Sequence, residues 1–226
     1  RAIAIDVTGA MFVANGTSRI WRLRPDGAID PSFSSREVPE NATEPKLLFH
    51  TLALAPDGKI VAGGSYAGSS AHAGPVRFTT SGTIDLQLPL PPFDRTGGTL
   101  SPYETDALRV LADGRIMVAS TRIHWDSRNP NPTYAQSCLR FSASGALDAS
   151  YRATLPPETV TERYWSRAWF YPDGRALLAC RFDPLSPSDI LHHAIIRLAS
   201  DGSHDRSIGG ATVRNVYRSG PERFQP

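Results

Sequence analysis

An all-β fold built from four repeats is what this sequence predicts, and three observations carry that expectation. A hairpin-like turn centred on glycine recurs at Gly27, Gly82, Gly145 and Gly202, with spacings of 55, 63 and 57 residues. A second turn interleaves with it at Gly9, Gly58, Gly114 and Gly174, spaced 49, 56 and 60 apart. The segments between these turns alternate or are rich in β-branched and aromatic residues, and none keeps a helical period for ten residues.

The first turn unit reads Arg22-Leu23-Arg24-Pro25-Asp26-Gly27-Ala28-Ile29-Asp30 and returns as Arg77 to Asp85, Arg140 to Asp148 and Arg197 to Asp205. The second reads Leu54-Ala55-Pro56-Asp57-Gly58-Lys59-Ile60-Val61-Ala62, then Val110 to Val118 and Phe170 to Leu178, with a degenerate copy at Ile5 to Val13. Pro-Asp-Gly between short apolar segments suits a type I turn closed by a left-handed residue, a φ that glycine alone takes without steric cost. Two hairpins per repeat give four strands, a to d. With Pro25-Asp26-Gly27 as the loop, Arg24 faces Ala28, Leu23 faces Ile29 and Arg22 faces Asp30. The same register pairs Arg77 with Asp85, Arg140 with Asp148 and Arg197 with Asp205. These are structural cross-strand ion pairs worth ~0.2–1 kcal/mol each, not a ring of catalytic aspartates.

A four-stranded repeat of this length exceeds a solenoid coil and fits one blade of a β-propeller. The runs Ile60-Val61-Ala62-Gly63-Gly64 and Ala176-Leu177-Leu178-Ala179 are apolar on both faces, as strands between two neighbouring blades should be. The expected fold is a β-propeller of four recognisable four-stranded blades, standing alone or as part of a larger propeller. The blades span approximately 1–49, 50–104, 105–164 and 165–226, in a single domain or fragment.

Composition agrees. Of 226 residues 40% are hydrophobic and 20% charged, and Gly (18) with Pro (19) exceed the usual share, as a turn-rich chain requires. No apolar run reaches the ~20 residues of a membrane-spanning helix. The chain opens on Arg1 with no secretory h-region, so it is expected to be a processed product or a piece of something longer. Net charge is +2, and its basic residues are scattered, without the stripe that nucleic acid binding leaves. Only Lys46 and Lys59 are lysines, an arginine bias that fits a GC-rich bacterial genome. Cys138 and Cys180 have no metal-ligand spacing; two reduced thiols are expected over a disulfide.

Pro-Asp-Gly-Lys-Ile-Val-Ala-Gly-Gly at 56–64, followed by Arg-Phe and then Ser-Gly-Thr-Ile-Asp within 77–85, resembles the delta-sixty repeat, a bacterial propeller repeat. The Asp-x-Ser-aromatic motif that closes such a repeat matches Asp30-Pro31-Ser32-Phe33 and Asp148-Ala149-Ser150-Tyr151. It departs at Asp85-Leu86-Gln87-Leu88 and, in part, at Asp205-Arg206-Ser207-Ile208. The resemblance runs over all four repeats. It implies a propeller and an extracellular or cell-surface bacterial setting, and it offers no catalytic residues to carry over.

Every a–b and c–d turn is short, so the long connections gather on the opposite face. The b–c connections are expected around 65–74, 121–136 and 181–193, and the d–a connections around 34–49, 89–104 and 152–164. Ligands favour loops held by a scaffold. The richest connection, Thr121 to Tyr134, brings forward Arg122, His124, Trp125, Asp126 and Tyr134 as a contact surface. Trp125 and Tyr134 folded back as a cap on the blade edge is the plainer alternative. In the fourth repeat the matching loop adds Asp189 and His192. Adjacent His192 and His193 point opposite ways on a strand and make a poor metal pair. His50, His72 and His204 lack a partner pattern and read as incidental.

No nucleophile elbow, zinc-protease helix or phosphate loop is present. Asn15-Gly16 reads as the tight b–c turn of the first repeat rather than a glycosylation acceptor. The expected function is a non-enzymatic propeller module that binds protein or glycan ligands or scaffolds a surface, with no cofactor and no metal. The alternative is an extracellular carbohydrate-active propeller enzyme using glutamates such as Glu37, Glu104 or Glu158. The apolar end blades are expected to be covered by the rest of a longer chain, a second copy or a partner.

Overall fold

The computed structural model of the chain describes residues 1–35, 46–67, 74–90, 99–100, 104–125, 133–151, 153, 163–182, 192–207 and 212–214. Every regular element among them is a strand. Repeat 1 contributes β1 (Ala2–Ile5), β2 (Met11–Ala14) and β3 (Ile20–Leu23), and repeat 2 contributes β4 (Lys46–Leu54), β5 (Ile60–Ala67), β6 (Val76–Phe78) and β7 (Ile84–Gln87). Repeat 3 follows with β8 (Thr99–Leu100), β9 (Glu104–Val110), β10 (Ile116–Trp125) and β11 (Thr133–Phe141). Repeat 4 holds β12 (Arg163–Phe170), β13 (Ala176–Phe182), β14 (His192–Leu198) and β15 (Thr212–Arg214). Strands a, b and c of each repeat form an antiparallel meander: β1-β2-β3, β4-β5-β6, β9-β10-β11 and β12-β13-β14.

All eight marker glycines take the left-handed conformation, with φ between 81° and 91°. At the first c–d turn the Arg24 amide donates to the Ala28 carbonyl at 2.8 Å and the Asp30 amide to the Arg22 carbonyl at 2.9 Å. Leu23 bridges Ile29. The turn chemistry therefore sets the strand register that its residues dictate.

Among the described residues a fourth strand follows the c–d turn directly in repeat 2, as β7, and further along the chain in repeat 4, where β15 pairs β14 from His192–Arg214 to Ala194–Thr212. In repeats 1 and 3 the chain after the c–d turn makes one bridge, Leu23 to Ile29 and Phe141 to Leu147, in place of the expected strand d, and in repeat 4 a bridge from Leu198 to His204 precedes β15. The reason lies in the closing motif. Asp30 Oδ1 accepts both the Ser32 amide (2.9 Å) and the Ser32 hydroxyl (2.7 Å), an Asx-type turn that lifts the chain off the sheet. Asp148 holds Ser150 in the same way. Repeat 2 carries Gln87 where the serine would stand, and the chain continues as β7. A bulge there sets Arg77 opposite Leu86, not opposite Asp85 as the uninterrupted register requires.

Each of the four arginines nevertheless bonds the Asp of its own repeat. Nε donates to Oδ2 at 2.9 Å for Arg22–Asp30 and 2.7 Å for Arg77–Asp85. The distances are 2.7 Å for Arg140–Asp148 and 2.8 Å for Arg197–Asp205. Where repeat 2 lacks the serine, Lys59 Nζ joins Asp85 at 3.2 Å. Hydrogen bonds from Ser150 and then Arg140 hold the Asp148 carboxyl down at about 2. The guanidinium also lies over the motif's aromatic ring, Arg22 on Phe33 at 5.1 Å and Arg140 on Tyr151 at 5.0 Å.

The core sits between repeats rather than within them. Phe12, Ala14 and Ile20 of repeat 1 pack against Phe49, Ile60 and Phe78 of repeat 2. Val61 and Leu88 of repeat 2 pack against Ile116, Val118 and Phe141 of repeat 3. Met117, Ala119 and Cys138 of repeat 3 pack against Phe170, Leu178 and Leu198 of repeat 4. Alternation along strand b thus sends successive side chains to opposite neighbours, which is why these runs carry no polar face. Cys138 is a free thiol, bonded to the Tyr151 hydroxyl at 3.4 Å and pushed up by burial to about 12. The side chain of Cys180 lies outside the described residues.

Polar staples cross the same boundaries. Arg22 Nη1 donates to the Thr80 carbonyl at 3.0 Å, Arg77 Nη1 to Ala143 at 2.5 Å and Arg140 Nη1 to Ser200 at 2.6 Å. Each acceptor stands two residues before the c–d turn glycine of the following repeat. In repeats 1 to 3 one arginine therefore locks its own hairpin and grips the next repeat.

Candidate functional site

Strand a carries a bulge at the same place in repeats 2, 3 and 4. The a–b register skips one residue between Phe49 and Thr51, between Thr105 and Ala107, and between Trp165 and Arg167. The extra residues are His50, Asp106 and Ser166, each eight positions before its a–b turn glycine. A bulge re-aims a side chain that regular alternation would send elsewhere.

In repeat 2 the re-aimed residue builds a polar cluster. His50 Nε2 lies 3.0 Å from Ser65 Oγ and 3.5 Å from Glu104 Oε1, and Ser65 Oγ donates to that same carboxylate oxygen at 3.3 Å. Three strands supply the three groups: β4, β5 and β9. The single pairing of Ser65 with Glu104 is what joins the sheets of repeats 2 and 3. Repeat 3 repeats half of the arrangement, with Thr121 Oγ1 donating to Asp106 Oδ2 at 2.7 Å. Thr121 and Ser65 each stand seven residues after their a–b turn glycine, so the two hydroxyls are equivalent.

Two glycines make the close approach possible. A Cβ on Gly64 would lie 1.8 Å from the Leu48 carbonyl oxygen, and one on Gly63 would lie 2.6 Å from Thr105 Cγ2. Gly63 and Gly64 do more than keep a buried strand apolar; they let β4 and the start of β9 close on β5. The cluster sits at the far end of the strands from the a–b turns, where the long connections spring.

Glu104 is the one glutamate among the described residues, and half of its side chain is open to solvent. Its hydrogen bond with His50 holds the carboxyl below the usual range, against the opposing effect of burial. One histidine nitrogen faces both the hydroxyl and the carboxylate. A relay that activates a serine needs the carboxylate on the other ring nitrogen, so this geometry does not make Ser65 a nucleophile. It presents an imidazole, a hydroxyl and a carboxylate to one small volume, a set suited to hydrogen-bonding a polar ligand. Among the described residues no three of His, Cys, Asp and Glu gather as metal ligands.

The residues nominated from the sequence fall elsewhere along the same end. Arg122, His124 and Trp125 lie on β10, Tyr134 on β11 and His192 on β14. The side chains of all five, and Asp126 and Asp189 entirely, lie outside the described residues. The stretch 121–134, expected as a connection, continues β10 at one end and opens β11 at the other. Backbone pairing continues through Ile123–Tyr134 and His124–Thr133, and β8 adds a third strand at His124 and Trp125. Its β-branched and aromatic residues favour that extension.

His50 was read as incidental and instead anchors the cluster. Its partners are 15 and 54 positions away, so no local spacing reveals them. The signal that could have found it was the tandem glycine at 63–64, which marks close backbone approach. A cleft of about 250 Å³ on the short-turn face, away from this cluster, lies between repeats 2 and 3 beside Lys59, Arg77 and Asp113. Lys59 and Arg77 are both engaged by Asp85 there.

Residues 5–33 and 55–87 match the profile of a family described as a β-propeller domain of unknown function, DUF5122. The second segment runs from the a–b turn through β7, and the first from the end of β1 to the closing Phe33, so both matches span the same turn-to-motif unit. No curated protein matches the chain.

Proposed function

We propose that this chain is a non-enzymatic binding module of the β-propeller kind, with four blades of the delta-sixty type, serving a secreted or surface-exposed bacterial protein. Its ligand site is the loop-rich end. The observation that carries this reading is the His50–Ser65–Glu104 cluster, in which a bulge, a paired strand and a neighbouring repeat converge on one polar spot. Such a cluster supplies donors and acceptors for a hydroxyl-rich or amide-rich ligand, a glycan or a polar protein segment. A carboxyl held ionised is a hydrogen-bond acceptor and a poor proton donor, which favours binding over acid catalysis of glycoside cleavage. The Asx-turn closure at Ser32 and Ser150 is consistent with the delta-sixty repeat pattern.

Glycan and protein arrays probed with the intact chain test the reading. The expected result is a ligand whose binding Glu104→Gln and His50→Ala each weaken at least tenfold, with unchanged circular dichroism. Arrays without a ligand, or a ligand indifferent to both substitutions, overturn it.

A further inference from the structure

Each internal boundary is built from two unlike halves. Toward the following repeat, a blade presents the Phe12 and Ile20 positions together with its arginine. Toward the preceding one, it presents the Met11, Val13, Trp21 and Leu23 positions with its c–d turn carbonyl. In repeats 2 to 4 the Met11 position is held by Ile60, Ile116 and Ala176 and the Leu23 position by Phe78, Phe141 and Leu198, all buried to 1% exposure or less.

The same half is uncovered in repeat 1. The pairs Ile3–Val13–Trp21 and Ile5–Met11–Leu23 lie in two cross-strand rows on one sheet face. Ile3 is 68% exposed, Ile5 63% and Trp21 37%. The opposite half is uncovered in repeat 4. Trp169 stands opposite Leu177, which stands opposite Arg197. Trp169 is 62% exposed, and Ile195, at the position of buried Ile20 and Cys138, is 42% exposed. The polar staples end in the same way. Arg197 holds Asp205 and Ser207, but no following turn stands among the described residues for it to grip. The Pro25 carbonyl, equivalent to those of Thr80, Ala143 and Ser200, has no preceding arginine there.

We propose that these faces join two copies of this chain head to tail, repeat 4 of one packing on repeat 1 of the other, with Arg197 donating to the partner copy's Pro25 carbonyl. One chain carries both halves of an interface that it already builds three times, so a second copy supplies what each face lacks: apolar area against apolar area and a guanidinium against a turn carbonyl. Such a contact is heterologous. Made twice between two copies, it gives eight repeats, within the ~4–8 blades of closed propellers. No residue of the His50 cluster lies on either face, so this inference and the ligand reading stand or fall separately.

Light scattering on the 226-residue chain tests it, with Ile3→Glu/Ile5→Glu on one face and Trp169→Glu on the other. These side chains are largely exposed, so the substitutions leave the fold intact. The wild-type chain is expected at twice 24.6 kDa or a multiple of it, and each variant at 24.6 kDa. An equimolar mixture of the two variants retains one sound contact and returns to twice the monomer mass. A wild-type monomer up to its solubility limit overturns the proposal. So does an oligomer that survives either variant, or variants that fail to complement each other.

Discussion

Arg140 and Asp148 face each other across the third c–d turn at 2.7 Å, and the guanidinium is the more buried partner, with 8% of its side chain exposed against 22%. The same arginine reaches Ser150, the Tyr151 ring and the Ser200 carbonyl of the next repeat. What begins as a hairpin ion pair is therefore a joint between repeats. Charge at Asp148 orients a group that three other contacts depend on.

Asp148→Asn keeps the side-chain shape and removes the charge. It should lower unfolding free energy by about 1–2 kcal/mol, more than an exposed surface pair loses, because the bond is charge-assisted and partly desolvated. Urea denaturation followed by fluorescence reads this directly. A change indistinguishable from zero would mean that Arg140 is held by its other partners alone.

Acid should weaken the fold over a defined range. The folded-state carboxyl of Asp148 lies at about 2, below its ordinary 3.8. A depressed value means that its contribution is fully present above the unfolded value and is lost as pH falls toward the folded one. Asp6 and Glu104 are shifted the same way, Asp6 chiefly by the Thr8 side chain and Glu104 chiefly by His50. The thermal midpoint should therefore hold steady at mildly acidic pH and drop from the ordinary carboxylate range down to about 2. In Asp148→Asn the drop should be shallower. An equal slope in both chains would remove Asp148 from the account.

Two glycine substitutions separate space from backbone conformation. Gly64→Ala places a methyl against the Leu48 carbonyl and should cost about 2–3 kcal/mol while pulling Ser65 away from His50. Gly27→Ala meets nothing within 4 Å, and its cost is that of a left-handed φ of +84°, about 1 kcal/mol. Paired denaturation curves give the order, and the reverse order would refute the close-approach account of the tandem glycine.

The sequence by itself determined the turns, the left-handed glycines at their apices and the hydrogen-bond register of the c–d hairpins in repeats 1, 3 and 4. These follow from backbone chemistry confined to about nine consecutive residues, so the pairing of Arg22 with Asp30 is written in the turn sequence itself. It also marked where repeat 2 would differ, because Gln87 replaces the serine that turns the chain away. Tertiary structure decided the rest. The meeting of β5 with β9 at Ser65 and Glu104, which His50 joins from its bulge, and the grip of Arg22, Arg77 and Arg140 on the next repeat join residues about 40 to 66 positions apart. No local propensity encodes such contacts; they exist only once alternate faces of each strand b have packed on two different neighbours, and that packing sets how closely the backbones approach.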